Sequence, residues 1–342
     1  MFEAALAGVD HRDVRIVAAV DHVPVPDRAA RLDDRADAFP DADFDAIPEW
    51  DDLRKLLLDH RARRSPAELM ADQPDTVLIL TNEDQHYDVA CQLLAFHPRR
   101  LFLEKPLHAR QGQAQVTEND FFEARELLLR ARQQGVETAM NFNYRFFEVS
   151  TRLRDVLSSR DPGPLRQATL YVNYACWSHC LDLLRHFGGQ VTTVQALNGT
   201  VSYGSGRQHG PDLAAAFLLD GGATGTLLGT SGSVFKLSLY HLILNFEHAM
   251  VVIDDLDSRL DLSFDNTSYR ESYCLQPNAS RWNQYAASFE KALAAYLQSL
   301  EQDAPPPVSG LEGLAELQLE AALRRSARIR AAVDVQQDFP MP

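Results

Sequence analysis

The chain has 342 residues, enough for two domains that each bury a core, and its formal net charge is −15. This charge disfavours a nucleic-acid binder or a protein that attaches to anionic membranes, because both need an excess of Lys and Arg on one face. The four cysteines are too few for a disulfide framework and indicate a reducing compartment. Neither a signal peptide nor an apolar run of roughly 20 residues occurs, so we expect a cytoplasmic protein that acts on a small molecule.

The first half of the sequence alternates short apolar runs with helical patterns. Buried parallel strands are predicted at 14–21, 76–81, 100–103 and 137–142. Helices are predicted at 2–9, 50–60, 86–96 and 119–134, and the polar stretch at 61–74 is interpreted as an inserted surface element. Strands that alternate with helices across short loops predict an α/β fold, with a Rossmann-type, doubly wound parallel sheet over residues 1–145.

The second half, residues 146–342, has the pattern of an α+β domain. Strand-like runs at 165–174, 191–203, 212–219, 223–230, 237–246, 251–253 and 260–264 predict a largely antiparallel open sheet. Gly221-Gly222 predicts a hairpin turn within it. Helices are predicted at 179–187, 282–300 and 309–332. We expect this half to bind the substrate and to form contacts between subunits.

The strongest chemical signal is Glu104-Lys105-Pro106, which directly follows a predicted strand. Ligands bind at the carboxyl edge of open α/β sheets, where a lysine can polarise a substrate oxygen and stabilise charge on it. The proline restricts the turn that aims the lysine. An exposed Glu-Lys pair at the start of a loop is the alternative interpretation.

The second signal is His179 at the start of a predicted helix, with Asp182 three residues later on the same face. An imidazole can pass a proton to and from an alcohol near neutral pH, and the carboxylate could raise its pKa or fix its tautomer. We therefore predict Lys105, His179 and Asp182 as catalytic residues. A helix-capping or core-packed histidine is the alternative.

A metal site is the competing interpretation of the same segment. Cys176, His179 and Cys180 have a spacing that could face one metal ion, but no fourth ligand is evident nearby. Zinc at this position would also occupy the proposed base. We therefore predict no metal site.

Five segments in order resemble the Gfo/Idh/MocA oxidoreductases, the family of glucose–fructose oxidoreductase and inositol dehydrogenase. The matching segments are Thr81–His86, Leu103–Leu107, Asn141–Phe146, His179–Leu184 and Pro307–Ala327. Their order and separations match from about residue 14 to the end, apart from the insertion at 61–74. Five matches in order are far more specific than any one motif.

The resemblance implies an oxidoreductase that transfers a hydride between a nicotinamide cofactor and a sugar, an inositol-like polyol or a related hydroxy or keto compound. It implies that Lys105 is the catalytic lysine and that His179 is the acid/base residue. The residues that it places at or near the cofactor are Asp21, Thr81, Asn82, His86, Glu104, Lys105, Asn143 and Arg145. Members of the family often assemble, which implies a homodimer or homotetramer.

Asp21, which ends a predicted strand, bears on the choice of cofactor. By the resemblance it would hold the ribose hydroxyls, and an acid there favours NAD, since it would repel the 2′-phosphate of NADP. NADP is the alternative cofactor. Asp21 could instead be a turn residue that ends the strand.

The sequence departs from the family in two places. The family's first strand and Gly-rich turn, whose N–H groups hold the pyrophosphate, have no counterpart before Phe2, so we expect an N-terminally truncated fold or a misassigned start. Ala175 stands four residues before His179, where many members carry an aspartate. These departures favour two alternative functions, a non-catalytic protein that senses a sugar or nucleotide, or an inactive truncated member of the family.

Overall fold

The computed structural model of the protein describes residues 19–20, 62–63 and 65–342. Ala19–Val20 (β1) pairs in parallel with Ala62–Arg63 (β2). β1 lies within the strand that is predicted at 14–21. The predicted helices at 2–9 and 50–60 and the residue Asp21 lie outside the described residues.

The stretch at 61–74, interpreted from its polar sequence as an inserted surface element, is partly built into the fold. It contains β2 and the short helix α1 (Pro66–Met70). The Ser65 side chain caps this helix by accepting a hydrogen bond from the Glu68 N–H at 3.3 Å. Leu69 and Met70 pack against the main core. Two apolar side chains therefore anchor a segment whose composition is mostly polar.

A three-stranded parallel sheet forms the centre of the described first half. Its strands are β3 (Val77–Ile79), β4 (Arg100–Leu103) and β5 (Glu137–Met140), in that order. The helices that connect them are α2 (His86–Leu94) and α3 (Glu118–Gln133). Phe102 and Leu103 of β4 are neighbours on opposite faces and are both buried, as in a central parallel strand. The prediction of a Rossmann-type α/β fold is confirmed.

The second half forms one large mixed sheet. Its strands are β6 (Leu165–Asn173), β7 (Val191–Tyr203), β8 (Gly210–Leu219), β9 (Thr224–Thr230), β10 (Tyr240–Phe246), β11 (Ala249–Asp254), β12 (Arg259–Phe264), β13 (Arg270–Cys274) and β14 (Val333–Asp334). In the described part of the chain their order is β13-β12-β11-β10-β6-β9-β8-β7-β14. β6 and β9 pair in parallel and the other neighbours pair antiparallel, which confirms the largely antiparallel prediction.

The helices of the second half pack on the large sheet or on the parallel sheet. They are α4 (Glu148–Ser159), α5 (Trp177–Gly188), α6 (Arg281–Glu301), α7 (Gly310–Ile329) and α8 (Val335–Asp338). α5, α6 and α7 correspond to the three predicted helices, with ends that differ by a few residues. Within residues 65–342, none of the helices combines the length and the apolar character that crossing a lipid bilayer requires.

Helix α7 connects the two sheets. A Cβ on Gly310 would lie 2.3 Å from Thr138 Oγ1 and one on Gly313 would lie 2.6 Å from Met140 Cγ, so the start of α7 can approach β5 this closely because both residues are glycine. Near its other end, Ser326 Oγ accepts a hydrogen bond from the backbone of β7 at 2.9 Å. One contiguous apolar core extends through both sheets. The division into domains at 1–145 and 146–342 stays a prediction.

The large sheet has one covered and one open face in the described chain. α5 contacts β6 and α7 contacts β7 on the covered face. Along β8 and β9 the side chains alternate between buried and exposed, as expected for strands with one face on the core. The exposed large side chains on β7, β8 and β9 are Leu197, Val201, Tyr203, Leu218 and Leu228.

Candidate active site

Polar side chains gather where the three parallel strands end. Asn82 follows β3, Lys105 follows β4 and Asn141 follows β5. Because the carboxyl ends of parallel strands meet at one edge, this is where an open α/β sheet binds ligands. A cleft of about 340 Å³ opens at this edge. The described residues that line it are Asn82, Glu83, Lys105, Pro106, Gln113, Tyr144, Ala175, Cys176, Gln208, Phe235, Leu239, Leu256, Trp282 and Tyr285.

Hydrogen bonds to Glu104 hold the backbone around Lys105. The Glu104 carboxylate accepts a hydrogen bond from the Lys105 N–H at 3.0 Å and another from the Asn141 side-chain amide at 2.6 Å. The peptide bond between Lys105 and Pro106 is cis. Glu104 itself is not among the residues that line the cleft. Its carboxylate therefore orients the loop that carries the lysine and ties it to the end of β5.

His86 connects the loops that follow β3 and β4. It is buried, with Nε2 at 2.8 Å from the carbonyl oxygen of Thr81 and Nδ1 at 2.8 Å from the carbonyl oxygen of Pro106. Of the residues predicted after β3, Asn82 lines the cleft, whereas His86 joins the two loops behind it. The Thr81 hydroxyl is buried without a hydrogen-bond partner among the described residues.

Lys105 extends its ammonium group into the cleft, where Nζ donates a hydrogen bond to Gln113 Oε1 at 3.3 Å. Gln113 begins the 3₁₀ turn Gln113–Gln115 and is buried. Its amide Nε2 donates to the backbone carbonyl of Tyr174, just before α5. The sequence analysis missed Gln113, because a glutamine in a polar loop carries no local signal of the distant backbone that it meets.

His179 does not reach the cleft. Its side chain is 1% exposed, and the ring of Tyr144, which lines the cleft, stacks on the imidazole with centroids 4.0 Å apart and an interplanar angle of 12°. Neither imidazole nitrogen has a hydrogen-bond partner among the described residues. Lys105 and His179 therefore come near each other without sharing the cleft. An aromatic ring covers the imidazole in the described arrangement, and the acid/base role predicted for His179 stays a prediction.

The protonation of this buried layer follows from its environment. Burial, and next the positive charge of Lys105, hold the pKa of His179 well below its usual value, so the imidazole is neutral near pH 7. Tyr144 donates its hydroxyl hydrogen bond to Cys176 Sγ at 3.1 Å. Burial raises the pKa of Tyr144 well above its usual value and raises the pKa of the Cys176 thiol to about 11. All three side chains are thus uncharged at neutral pH.

Asp182 is not directed at His179. Its two carboxylate oxygens accept hydrogen bonds from Nε and Nη2 of Arg145 at 2.7 and 2.6 Å, and both side chains are buried. Arg145 also pairs with Glu312 in the first turn of α7. The predicted tuning of His179 by Asp182 is therefore wrong, because a buried guanidinium group takes the carboxylate as its partner.

Asn143 and Arg145 do not line the cleft either, although the resemblance placed them near it. The Asn143 amide donates to Ser288 Oγ at 2.6 Å, which ties the turn to α6. Arg145 ties the same turn to α5 through Asp182. Asn143–Phe146 forms a 3₁₀ turn, in which successive side chains point about 120° apart. Tyr144 therefore reaches the cleft while both of its neighbours point away.

Aromatic rings form much of the described cleft wall. Trp282 lies edge-on to Tyr285 with centroids 6.2 Å apart, and Phe235 lies 6.4 Å from Trp282. Arg281 pairs with Asp255 and donates to the carbonyl oxygen of Phe235, which holds the loop before β10 against the start of α6. Sequence reasoning missed these residues, because only the fold brings the three rings together.

A second polar cluster, formed by His108, Asp120 and Glu123, lies outside the cleft. Each residue offers one atom that could bind a metal ion, and these atoms all lie within 4.8 Å of one another. His108 Nε2 lies 2.8 Å from Glu123 Oε2. Arg110 donates to Glu123 through Nε at 2.9 Å and to Asp120 through its backbone N–H at 3.0 Å. Each ligand atom of the cluster thus already has a protein partner. Cys176, His179 and Cys180 do not form such a cluster among the described residues.

Comparison with known families and sequences gives one match. Residues 5–142 match a family model described as an oxidoreductase family with an NAD-binding Rossmann fold. No curated protein matches the chain in sequence. The match covers the parallel sheet and ends just after β5, next to the loop that carries Lys105.

Solved structures with the same fold extend the likeness to the whole chain. An oxidoreductase from Agrobacterium radiobacter, in complex with NAD+, L-tartaric acid and magnesium, is 17% identical with a TM-score of 0.74 over 98% of this chain and 96% of its own. UDP-N-acetylglucosamine 3-dehydrogenase GnnA from Acidithiobacillus ferrooxidans is 16% identical with a TM-score of 0.68, over 96% and 94%. A super-repressor mutant of Gal80p from Saccharomyces cerevisiae is 12% identical with a TM-score of 0.73, over 100% and 94%. At such low identity the likeness shows the fold.

Proposed function

We propose that this chain is an NAD-dependent dehydrogenase or reductase of a sugar, a polyol or a related hydroxy or keto compound. The premise is that the chain belongs to the Gfo/Idh/MocA oxidoreductases, whose family model matches residues 5–142. The observation that carries the proposal is the Lys105 ammonium group in a cleft at the carboxyl edge of a parallel sheet. The likeness in fold to UDP-N-acetylglucosamine 3-dehydrogenase supports a carbohydrate substrate.

The residues at the sheet edge fit the nicotinamide end of such a cofactor. Thr81 Oγ1 and Asn141 Oδ1 are buried without a hydrogen-bond partner among the described residues, as expected for groups that a ligand satisfies. We propose that Thr81, Asn82 and Lys105 hold this end of the cofactor. When bound, NAD supplies the hydride acceptor, and NADH the donor. Asp21, the basis for preferring NAD over NADP, lies outside the described residues, and its role stays a prediction.

We assign the contact with the reacting oxygen to Lys105. Its ammonium group has three N–H donors, of which one is used by Gln113, so another can donate to an alcohol or carbonyl oxygen in the cleft. A positive charge beside that oxygen stabilises the negative charge that develops on it during oxidation or reduction. In the direction of reduction the ammonium group can release a proton to this oxygen, and the resulting neutral amine can take up the hydroxyl proton in the direction of oxidation.

We propose a supporting role for His179. In the described arrangement its neutral ring stacks behind Tyr144 and does not contact the space that a substrate would occupy. An acid/base role, as the resemblance implies, would require the Tyr144 ring to leave this position. Stacking against His179 instead keeps Tyr144 at the cleft wall.

The described lining favours a neutral polyhydroxy compound with one apolar face. Phe235, Trp282 and Tyr285 offer aromatic surface to the C–H face of a sugar ring, and the amides of Asn82 and Gln208 offer hydrogen bonds to hydroxyl groups. Lys105 is the cationic residue of this lining, so a substrate carboxylate would compete with the reacting oxygen for the same ammonium group.

We also propose that the open face of the large sheet forms a homodimer contact, within a dimer or a tetramer. Leu197, Leu218 and Leu228 are exposed there on adjacent strands, and apolar patches of this kind mark association sites. Light scattering of the Leu228→Glu variant tests this, because a charge within the patch should dissociate the assembly. An unchanged molar mass would contradict the proposal.

The central experiment combines binding and turnover. Calorimetric titration with NADH and NADPH is followed by activity assays on neutral sugars, inositols, sugar acids and sugar nucleotides. We expect NADH to bind, and a neutral ring compound to be oxidised or its ketone reduced. Binding of NADH without turnover of any compound would contradict the enzymatic proposal.

A non-catalytic regulatory protein is the second candidate. The likeness in fold to Gal80p and the exclusion of His179 from the cleft favour it. Such a protein would sense a sugar or a nucleotide in the same cleft. It would bind ligand in the titration without turnover, and Lys105→Met would then change affinity alone.

A further inference from the structure

The Lys105 ammonium group is held by a neutral acceptor. Gln113 Oε1 accepts the hydrogen bond from Nζ at 3.3 Å. Ala175 lines the same cleft with a methyl group and offers no acceptor. A neutral partner fixes the position of a charge without cancelling it, unlike a carboxylate. The hydrogen bond to Gln113 therefore leaves the charge of the ammonium group available to a ligand in the cleft, which Glu83 also lines.

The second hydrogen bond of Gln113 determines which way its amide faces. Nε2 donates to the carbonyl oxygen of Tyr174, and a carbonyl can only accept. An ammonium group can only donate, so it must meet the oxygen of the amide. A side-chain amide meets both demands at once, whereas an ionised carboxylate could serve Lys105 but could not donate to Tyr174. The two partners thus specify an amide at residue 113.

The turn that carries Gln113 is itself attached to the second half of the chain. Gln115 donates from its side chain to the carbonyl oxygen of His209 at 2.9 Å. A Cβ on Gly210 would lie 3.1 Å from the carbonyl oxygen of Ala114, so the start of β8 approaches the turn closely. Gln113 consequently joins the lysine of the parallel sheet to a backbone that belongs to the large sheet.

We propose that Gln113 is a positioning residue, which holds the Lys105 ammonium group at the reacting oxygen through its bond to the Tyr174 carbonyl. The assignment rests on the proposed function of Lys105. Gln113 acts through the lysine and not on the substrate. Loss of the amide lets the flexible lysine side chain leave the productive position, which lowers the rate of the chemical step more than it weakens binding.

Gln113→Met tests the proposal, since methionine has a similar length and neither hydrogen bond. We expect kcat to fall about 100-fold, because displacing a catalytic group by roughly 1 Å lowers the rate by about this factor. KM should change by less than about 3-fold, because the interaction matters in the transition state. Gln133→Met, at an exposed position at the end of α3 and away from the cleft, is the matched control and should keep the wild-type kcat.

A second measurement does not depend on activity. The chain has four lysines, Lys55, Lys105, Lys236 and Lys291, so reductive methylation with a ¹³C label gives few NMR signals. The signal that is missing from the spectrum of Lys105→Arg is the Lys105 signal. We expect the Lys105 signal to be shifted in the wild type, to move toward the signals of solvated lysines in Gln113→Met, and to stay in place in Gln133→Met.

The outcomes separate this proposal from the proposed function. A kcat within two-fold of wild type together with an unmoved Lys105 signal in Gln113→Met overturns the positioning role. If the wild type turns over no compound, the proposed function fails, and the Lys105 signal alone decides whether Gln113 holds the lysine. If Gln113→Met does not fold, Gln113→Glu replaces it. It keeps the acceptor for Lys105 but loses the donor to Tyr174, and a wild-type kcat there would also overturn the proposal.

Discussion

Lys105 and His179 differ in whether their side-chain nitrogen atoms have hydrogen-bond partners. Around Lys105, Glu104 and Gln113 bond to the backbone and to the ammonium group, and the charge faces an open cleft. Around His179, an aromatic ring covers the imidazole and both nitrogens lack a partner among the described residues. One residue is therefore prepared to carry charge to a ligand, while the other is kept neutral.

The difference shows what a sequence motif can and cannot indicate. Both residues were identified by their type and by their place at the end of a strand or the start of a helix. Access to a ligand depends instead on which neighbours pack over them. Tyr144 covers His179, whereas among the described residues Lys105 lines an open cleft. Three substitutions would sharpen or break this contrast.

The largest effect is expected for Lys105→Met. Loss of the charge and of the exchangeable proton should lower kcat/KM by about 10³-fold, within the range for a general acid or base. Lys291→Met is the matched control, since Lys291 is exposed and pairs only loosely with Glu148 at 3.5 Å. Steady-state kinetics on the best substrate measures the effect. Activity close to wild type would remove Lys105 from the chemistry.

Asp182→Ala should act on stability. It leaves the buried Arg145 guanidinium group with Glu312 alone, and breaking a buried pair in this way costs about 3 kcal/mol of unfolding free energy. Urea unfolding measures the loss, and Asp155→Ala, at an exposed pair, is the control. A large fall in kcat without loss of stability would return Asp182 to the catalytic residues.

His179→Phe should have the smallest effect on activity, because phenylalanine can keep the stack on Tyr144. We expect kcat to fall less than 10-fold, well below the loss of about 10²-fold or more that removal of an acid/base group causes. A loss as large as that in Lys105→Met would show that the imidazole takes part in proton transfer, and that Tyr144 moves to allow it.

The same variant has a distinct pH dependence. The pKa of His179 lies well below its usual value of 6.5 in the folded protein, so below pH 6.5 the unfolded chain takes up a proton that the folded chain does not. The free energy of unfolding of the wild type, minus that of His179→Phe, should thus decrease by about 1.4 kcal/mol per pH unit as the pH falls from 6.5 toward 5. Urea unfolding across this range measures the difference. His248→Phe is the control, because its hydrogen bond to Asp265 raises the pKa of His248 and gives the opposite sign.

The sequence by itself determined most of the strands and helices, the parallel and antiparallel halves, and the place of Lys105 at a sheet edge, whereas helix α4 and strand β13 were not predicted. These features follow from local patterns, since burial on one or two faces imposes a period on the apolar residues and the end of a strand sets where the next side chain lies. The segment at 61–74 has no fully buried residue in α1, as its polar composition suggested, and only the structure shows that Leu69 and Met70 pack against the core.

The tertiary structure alone decided which side chains share the cleft. Gln113 meets Lys105 and the Tyr174 carbonyl, Tyr144 covers His179, and Asp182 pairs with Arg145. Each of these contacts joins residues from separate segments, and each depends on competition among several possible partners for a buried polar group. Packing and desolvation in the assembled fold determine which partner a buried polar group binds. Neither produces a periodic pattern in the sequence.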